Sequence, residues 1–404
     1  MSKLRYGFVT GPVLGALWMV VLSTTVAVAM SFATGEAFRP HILLSLLWGA
    51  IIGYTISQRL GDFWGEVMGT ASLVILILLG MGPLVVGEDA SSFARVFAAV
   101  ALSVAFSWSM HLILDDMPAK LLTRHEFEAA VIKFLTGFGY IFFTAIVLIP
   151  FYVMVLTSLK NQSELIQNPL DFSIELSKGA ELFRSYDELF TQFNFGTYLL
   201  NSFGISVLTV LITLLFAVPG AYAVARLRFQ GRAAFSRSIL LIYMVPMIVL
   251  ALPIYIAFSM TGLRNSLLGI ILIYPVTTIP VALYMLQGYF RGLPAEVEEA
   301  GLMDGLSRLM VIWKITLPLS LPAIASVSLY VFMIAWNEFL LAFMLLDDPS
   351  KFTLTRGIAS LNSSEIPRQH LMAGSVIATV PIMALFLGLE RFMTKGLTAG
   401  SVKG

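Results

Sequence analysis

The carboxylates most able to do work in this chain are clustered. Glu296, Glu298 and Glu299 follow one another closely, Ala300 and Gly301 come next, and Asp304-Gly305 closes the run before Ile315-Thr316-Leu317-Pro318. Negative charge near a helix start is favoured by the helix dipole, small residues let another backbone come close, and a glycine after the last helical residue stops the helix. The chemistry such a pattern offers is docking rather than bond-making: a short surface helix presented to a partner protein.

Bond-making chemistry has little to work with elsewhere. His41, His111, His125 and His370 are scattered without H-E-x-x-H or other metal spacing, so they read as solvated loop or interfacial positions and no metal site is expected. The absence of cysteine removes disulfides, thiolate nucleophiles and cysteine-held metals. No G-x-x-x-x-G-K-[ST] run occurs, so the chain has no phosphate-cradling loop and binds no cofactor of its own on this reading. Asn201, Asn337 and Glu338 are the polar candidates inside apolar segments, where an ionisable group is a functional hypothesis by default. Asn337 and Glu338 could line a translocation path; the bland alternative for Glu338 is a hydrogen bond between helices. Asn201 lies close to the outer end of its segment, where a solvated role is equally open.

The elements that must position these residues are membrane helices. At 404 residues with 58% hydrophobic and 12% charged and a mean hydropathy of +0.88, the chain carries far more apolar surface than a soluble domain needs. The expected fold class is all-α, a polytopic transmembrane helical bundle. Segments at 12–33, 41–57, 67–86, 93–113, 136–157, 197–225, 238–259, 267–289, 319–344 and 371–390 give about ten candidate spans, the second at the short limit. The net charge of +1 points to no nucleic acid. Placing Lys3, Arg5, Arg59, Lys120, Arg124, Lys133, Arg226, Arg228, Arg232, Arg237, Arg291, Arg308, Lys314, Arg391, Lys395 and Lys403 on the cytoplasmic side leaves fewer basic residues outside, so both termini and the acidic cluster are expected in the cytoplasm. Ala27-Val28-Ala29 has the small-x-small form of a signal-peptidase site, but the apolar run before it is long for a signal sequence.

A polar stretch at 114–128, which includes Asp115, Asp116, His125, Glu126 and Glu128, marks a module boundary. It separates a 1–130 extension of about four spans from a 131–404 module of about six. The aromatic-rich 158–196 segment reads either as a folded extracytoplasmic loop or as an interfacial belt. Pro219, Pro246, Pro253, Pro275 and Pro280 predict breaks or kinks, tolerated at membrane depth where backbone is buried in protein or lines a cavity. In the 290–318 loop, Pro294 opens a helix over 294–303. A second, apolar and basic helix over 306–316 suits a membrane surface, and Leu317-Pro318 is expected to end it and start the next span.

Glu299, Ala300, Gly301, Gly305, Ile315, Leu317 and Pro318 match the E-A-A-x-x-x-G-x9-I-x-L-P loop of permease subunits in ABC importers, and Asp304 also suits it. With Ala335-Trp336-Asn337-Glu338-Phe339-Leu340 and the tail Gly396 to Gly404, residues 131–404 resemble the carbohydrate importer permeases of the maltose and α-glucoside type. Gly301 departs from the pattern, standing where a second alanine is usual. The resemblance implies a multi-pass subunit of the bacterial inner membrane that forms half of a sugar path. Its implied partners are a second permease, two copies of a cytoplasmic ABC ATPase and an extracytoplasmic sugar-binding protein, within membrane lipid. ATP and Mg would sit on the ATPase, with Glu298, Glu299, Ala300, Gly301, Asp304, Gly305, Ile315, Leu317 and Pro318 as its coupling site. It also implies that the C-terminal tail reaches the ATPase, that the 345–370 loop meets the binding protein, and that Glu338 could bond a sugar hydroxyl. The competing readings are a stand-alone ion-coupled secondary transporter, for which Glu338 is the one good coupling carboxylate, and a membrane-embedded enzyme built on the 115–128 cluster.

Overall fold

The computed structural model describes residues 5–58, 63–87, 90–115, 117–168 and 171–398. Lys3, Arg59, Asp116, Lys403 and the tail beyond Thr398 lie outside the described residues. Helix dominates, as lipid requires: each backbone polar group must find its partner within the protein. The chain divides into two compact units, Met1–Leu182 and Phe183–Gly404.

The first unit contains α1 (Gly7–Thr34), α2 (Ile42–Ser57), α3 (Phe63–Leu78), α4 (Ser92–Leu114), α5 (Arg124–Ser158) and the short α6 (Gln162–Gln167). Glycines build a close contact between its first two helices. A β-carbon at Gly15 would stand 2.3 Å from the Gly49 carbonyl oxygen, and one at Gly53 would stand 2.4 Å from that of Gly11, so α1 and α2 meet backbone to backbone. Ser23 and Ser45 bond across the same seam at 3.0 Å. Trp18 packs edge-on against Phe134 of α5 and donates to Ser109 of α4 at 2.7 Å. The Thr123–Glu126 capping box starts α5, so the polar stretch read as a module boundary lies between α4 and α5, inside this unit.

The apolar run at 67–86 is not one span. α3 stops at Leu78, Gly80 takes φ 75°, and Leu84–Val86 forms a strand (β2) antiparallel to Phe38–Pro40 (β1), with Phe38 opposite Val86. Gly80-Met81-Gly82-Pro83 is a helix stop that hydropathy alone passes over.

Beyond α5, buried Lys160 donates to the Asp171 carboxylate at 2.8 Å and to its carbonyl. Burial alone raises the Asp171 carboxyl, but hydrogen bonds from Lys160 and Ser173 outweigh it and hold the group down at about 2. Because the folded value lies below the unfolded one, this stabilisation is complete above the ordinary carboxylate range and is lost as pH falls towards 2. Asp171→Asn is therefore expected to speed proteolysis of the 158–183 segment at neutral pH, and its difference from wild type should vanish as pH approaches 2.

The second unit contains α7 (Arg184–Gln192), α8 (Phe195–Arg226), α9 (Arg232–Tyr243), α10 (Met247–Met260), α11 (Leu267–Gly292), α12 (Ala295–Met303), α13 (Arg308–Val311), α14 (Leu317–Asn337), α15 (Leu340–Leu345), α16 (Leu354–Ser360) and α17 (Arg368–Thr398). One core joins Tyr274 to Phe332, Trp336 and Phe195, and a second joins Tyr222 to Leu286, Phe290 and Val331 at the end where α8 and α11 finish. Between them, the Thr213 and Thr278 hydroxyls bond at 2.6 Å.

Proline acts more selectively than expected. Pro246 separates α9 from α10, dividing the 238–259 segment, whereas Pro219, Pro253, Pro275 and Pro280 lie inside continuous helices. The 319–344 segment is also divided, because α14 ends at Asn337 and α15 begins at Leu340. Among the described residues, 7 helices are long and apolar enough to cross a membrane; α2, Met68–Leu78 and α10 are shorter apolar helices.

Candidate functional site

Leu293 leaves α11 in an extended conformation, Pro294 caps the next helix, and α12 follows over Ala295–Met303. At its far end Gly305 takes φ 85°, a left-handed conformation that costs a glycine little. The Gly305 amide donates to the Leu302 carbonyl and the Leu306 amide to that of Gly301, both at 3.1 Å, closing a Schellman cap. The sequence expectation of a helix halted at Asp304-Gly305 holds.

The adjacent carboxylates have opposite fates. Glu299 is exposed together with Glu296, Ala300, Met303, Asp304 and Gly305, while Glu298 is only 8% exposed. The Thr316 hydroxyl donates to Glu298 Oε1 at 2.9 Å, the Tyr222 hydroxyl donates to Oε2 at 3.2 Å, and Arg226 Nε stands 3.7 Å from Oε1. Arg226 also donates to the Leu293 carbonyl at 2.5 Å, beside the entry to α12. The acidic helix read from sequence thus has an exposed outer face and an inner face fastened to its own helices.

Gly301 is buried on the inner face, and a β-carbon there would stand 2.6 Å from Ile315 Cδ1 and 3.3 Å from Val311 Cγ2. The departure from the usual alanine therefore accompanies a close seat for α12 on the helix behind it. Gly301→Ala should be nearly neutral: the Ile315 tip can move, and alanine favours helix by about 1 kcal/mol. Gly301→Leu should loosen the seat by about 1–3 kcal/mol through overpacking. Amide hydrogen exchange across 295–306 would then speed up in the Leu variant and stay near wild type in the Ala variant.

Leu317-Pro318 does not end the second helix. Residues 308–337 form one continuous helix, with Ile312–Thr316 wound as a π turn in which the Leu317 amide reaches back to the Ile312 carbonyl. The wider turn lets the chain pass Pro318, whose ring would otherwise press on the preceding turn. Ile315 and Leu317 are half-buried and Pro318 exposed, and Arg308, Trp313 and Lys314 are exposed.

Asn337 and Glu338 stand apart from this cluster. Asn337 is exposed and donates to the Met333 carbonyl at 2.9 Å. Glu338 caps α15, accepting from the amides of Leu341 at 2.8 Å and Ala342 at 3.2 Å, and the buried Tyr274 hydroxyl lies beside it without completing a hydrogen bond. Asn201 is a tether rather than a solvated group: its amide donates to the carbonyls of Ser350 and Phe352, both at 3.1 Å. His370 is likewise not a solvated position. It is buried, with Nε2 2.7 Å from Glu188 Oε2. The hydrogen bond from Arg184 leads in lowering the Glu188 carboxyl below its usual range, with His370 adding to it.

Tyr222, Arg226 and Thr316 did not stand out in the sequence. The available signal was modest: a tyrosine and an arginine four apart at the end of a span, and the threonine inside Ile315-Thr316-Leu317-Pro318.

A sequence profile described as "Binding-protein-dependent transport system inner membrane component" matches residues 217–398, which include the whole cluster. The chain is 36% identical over 274 residues to the inner membrane ABC transporter permease protein YcjP of Escherichia coli (strain K12), covering 66% of this chain and 95% of that protein. It is 33% identical over 281 residues to the trehalose/maltose transport system permease protein MalG of Thermococcus litoralis, covering 69% of this chain and 99% of the relative. A crystal structure of a bacterial ABC transporter involved in import of the acidic polysaccharide alginate has a similar fold, with TM-score 0.57 at 22% identity, across 67% of this chain and 98% of that one.

Proposed function

Because the chain belongs to the family of binding-protein-dependent transport system inner membrane components, we propose that it forms half of the translocation path of an ATP-driven sugar importer. The chain is a multi-pass inner-membrane permease subunit. Its sugar cargo is proposed from the relatives, which include a trehalose/maltose and an arabinooligosaccharide permease. Residues 131–404 supply the importer module, with residues 1–130 as an extension to it. A second permease completes the path, two copies of a cytoplasmic ABC ATPase hold ATP and Mg, and an extracytoplasmic binding protein delivers the sugar. Both chain termini lie in the cytoplasm.

The observation that carries this reading is the two-sided character of α12. Its outer face, with Glu299 and Ala300, meets a cleft of the ATPase, while its inner face rests on Val311, Ile315 and Thr316. ATP-driven closure of the ATPase pair moves α12, and the continuous helices α8 and 308–337 turn that motion into alternating access. The ion-coupled alternative needs a carboxylate free to exchange its charge partner, and both Glu338 oxygens are taken up by α15 amides. Purification of the tagged chain in mild detergent should recover the second permease and the ATPase. Recovery as a lone transporter with gradient-driven uptake would overturn the proposal.

A further inference from the structure

We infer that Glu298 is the positioning residue that fastens α12 to two membrane helices at once, so that force on the docking helix reaches both together; the inference rests on the docking role of α12. A carboxylate on a surface helix normally faces water. Glu298 turns inward instead, beside an outward-facing Glu299, and each of its oxygens is held from a different helix: Oε1 by Thr316 at 2.9 Å and Oε2 by Tyr222 of α8 at 3.2 Å.

The charge is balanced within the same node. Arg226, one turn beyond Tyr222, brings its guanidinium to 3.7 Å from Glu298 and also donates to the Leu293 carbonyl, so α8 grips the helix and the turn that enters it. A buried carboxylate deprived of such partners is strongly disfavoured, which makes the node resist separation more than an apolar contact would. Gly301 against Ile315 is an apolar contact on the same face and can slide; the charged hydrogen bonds cannot shift without breaking. Thr316 lies within the π turn, so a pull there acts at the widened turn of 308–337.

The test uses the complete complex purified through the tagged chain. The chain has no cysteine of its own, so spin labels can be placed at Met303→Cys on α12 and Gln230→Cys beyond the end of α8, with the partner subunits in cysteine-free form. With Glu298 present, trapping with ATP and vanadate should leave the distance between the labels unchanged, because α12 and α8 move as one body. In Glu298→Gln the ATPase should still co-purify, but trapping should shift and broaden that distance. Stimulation of ATP hydrolysis by the binding protein should fall about tenfold, the size expected for losing hydrogen bonds to a buried charge. Thr316→Val and Tyr222→Phe should each show a smaller part of the same loss, and they decide the matter if Glu298→Gln fails to assemble. Wild-type distances and stimulation in these variants would overturn the role of Glu298 and leave the docking reading standing. A wild-type chain that recovers no ATPase would instead overturn the docking reading itself.

Discussion

Glu299→Lys is expected to abolish stimulation of ATP hydrolysis by the binding protein while the chain stays in the membrane at its normal level. Glu299 is exposed on the outer face of α12 and makes no ion pair or hydrogen bond among the described residues, so the fold should hardly notice the change. Surface substitutions of this kind usually stay within about 0.5 kcal/mol of neutral. Where a docked partner answers Glu299 with a positive charge, the same reversal sets like charges together, at a cost of several kcal/mol. Gly305→Pro should give the same loss by another route. Proline cannot adopt φ 85°, and it removes the amide that caps α12 on Leu302. ATP hydrolysis by the purified complex, set against membrane content of the chain, checks both; normal stimulation in either would contradict the docking role of α12.

Gly15→Leu is expected to produce a large stability loss in the first unit. Its β-carbon would meet the Gly49 carbonyl oxygen at 2.3 Å and the Gly53 Cα at 2.9 Å. Both are backbone atoms of a facing helix that cannot turn aside, so α1 and α2 would have to separate along their seam. Overpacking of this kind costs about 1–3 kcal/mol or more, whereas Gly139→Ala, with nothing within 4 Å, should be neutral or slightly stabilising. Thermal unfolding of the detergent-purified chain distinguishes them, and equal melting of the two variants would count against the seam.

The helix α12 was legible because its signals are local. Pro294 and the acidic residues mark its start and Asp304-Gly305 its end, and α12 follows them closely. The division of labour between Glu298 and Glu299 was not legible, because it depends on where Tyr222, Arg226 and Thr316 come to lie. Tyr222 stands 76 positions away in the chain. The burial of His370 was hidden for the same reason: its partner Glu188 belongs to another helix. Hydropathy overran α3 because a span-length window averages across Gly80-Met81-Gly82-Pro83. It also passed over the break at Asn337, where Glu338 takes up the amides of a new short helix. Pro318 misled differently, since a π turn rather than a helix end accommodates it.

The docking claim meets its most direct test in a single cysteine placed at Met303, which is 87% exposed at the end of α12. In the complete complex, a short bifunctional cross-linker from that position should join the chain to the ATP-hydrolysing subunit, and the yield should change when ATP is trapped with vanadate. An intact, active complex in which Met303→Cys joins only lipid-embedded subunits, or nothing, would contradict the account.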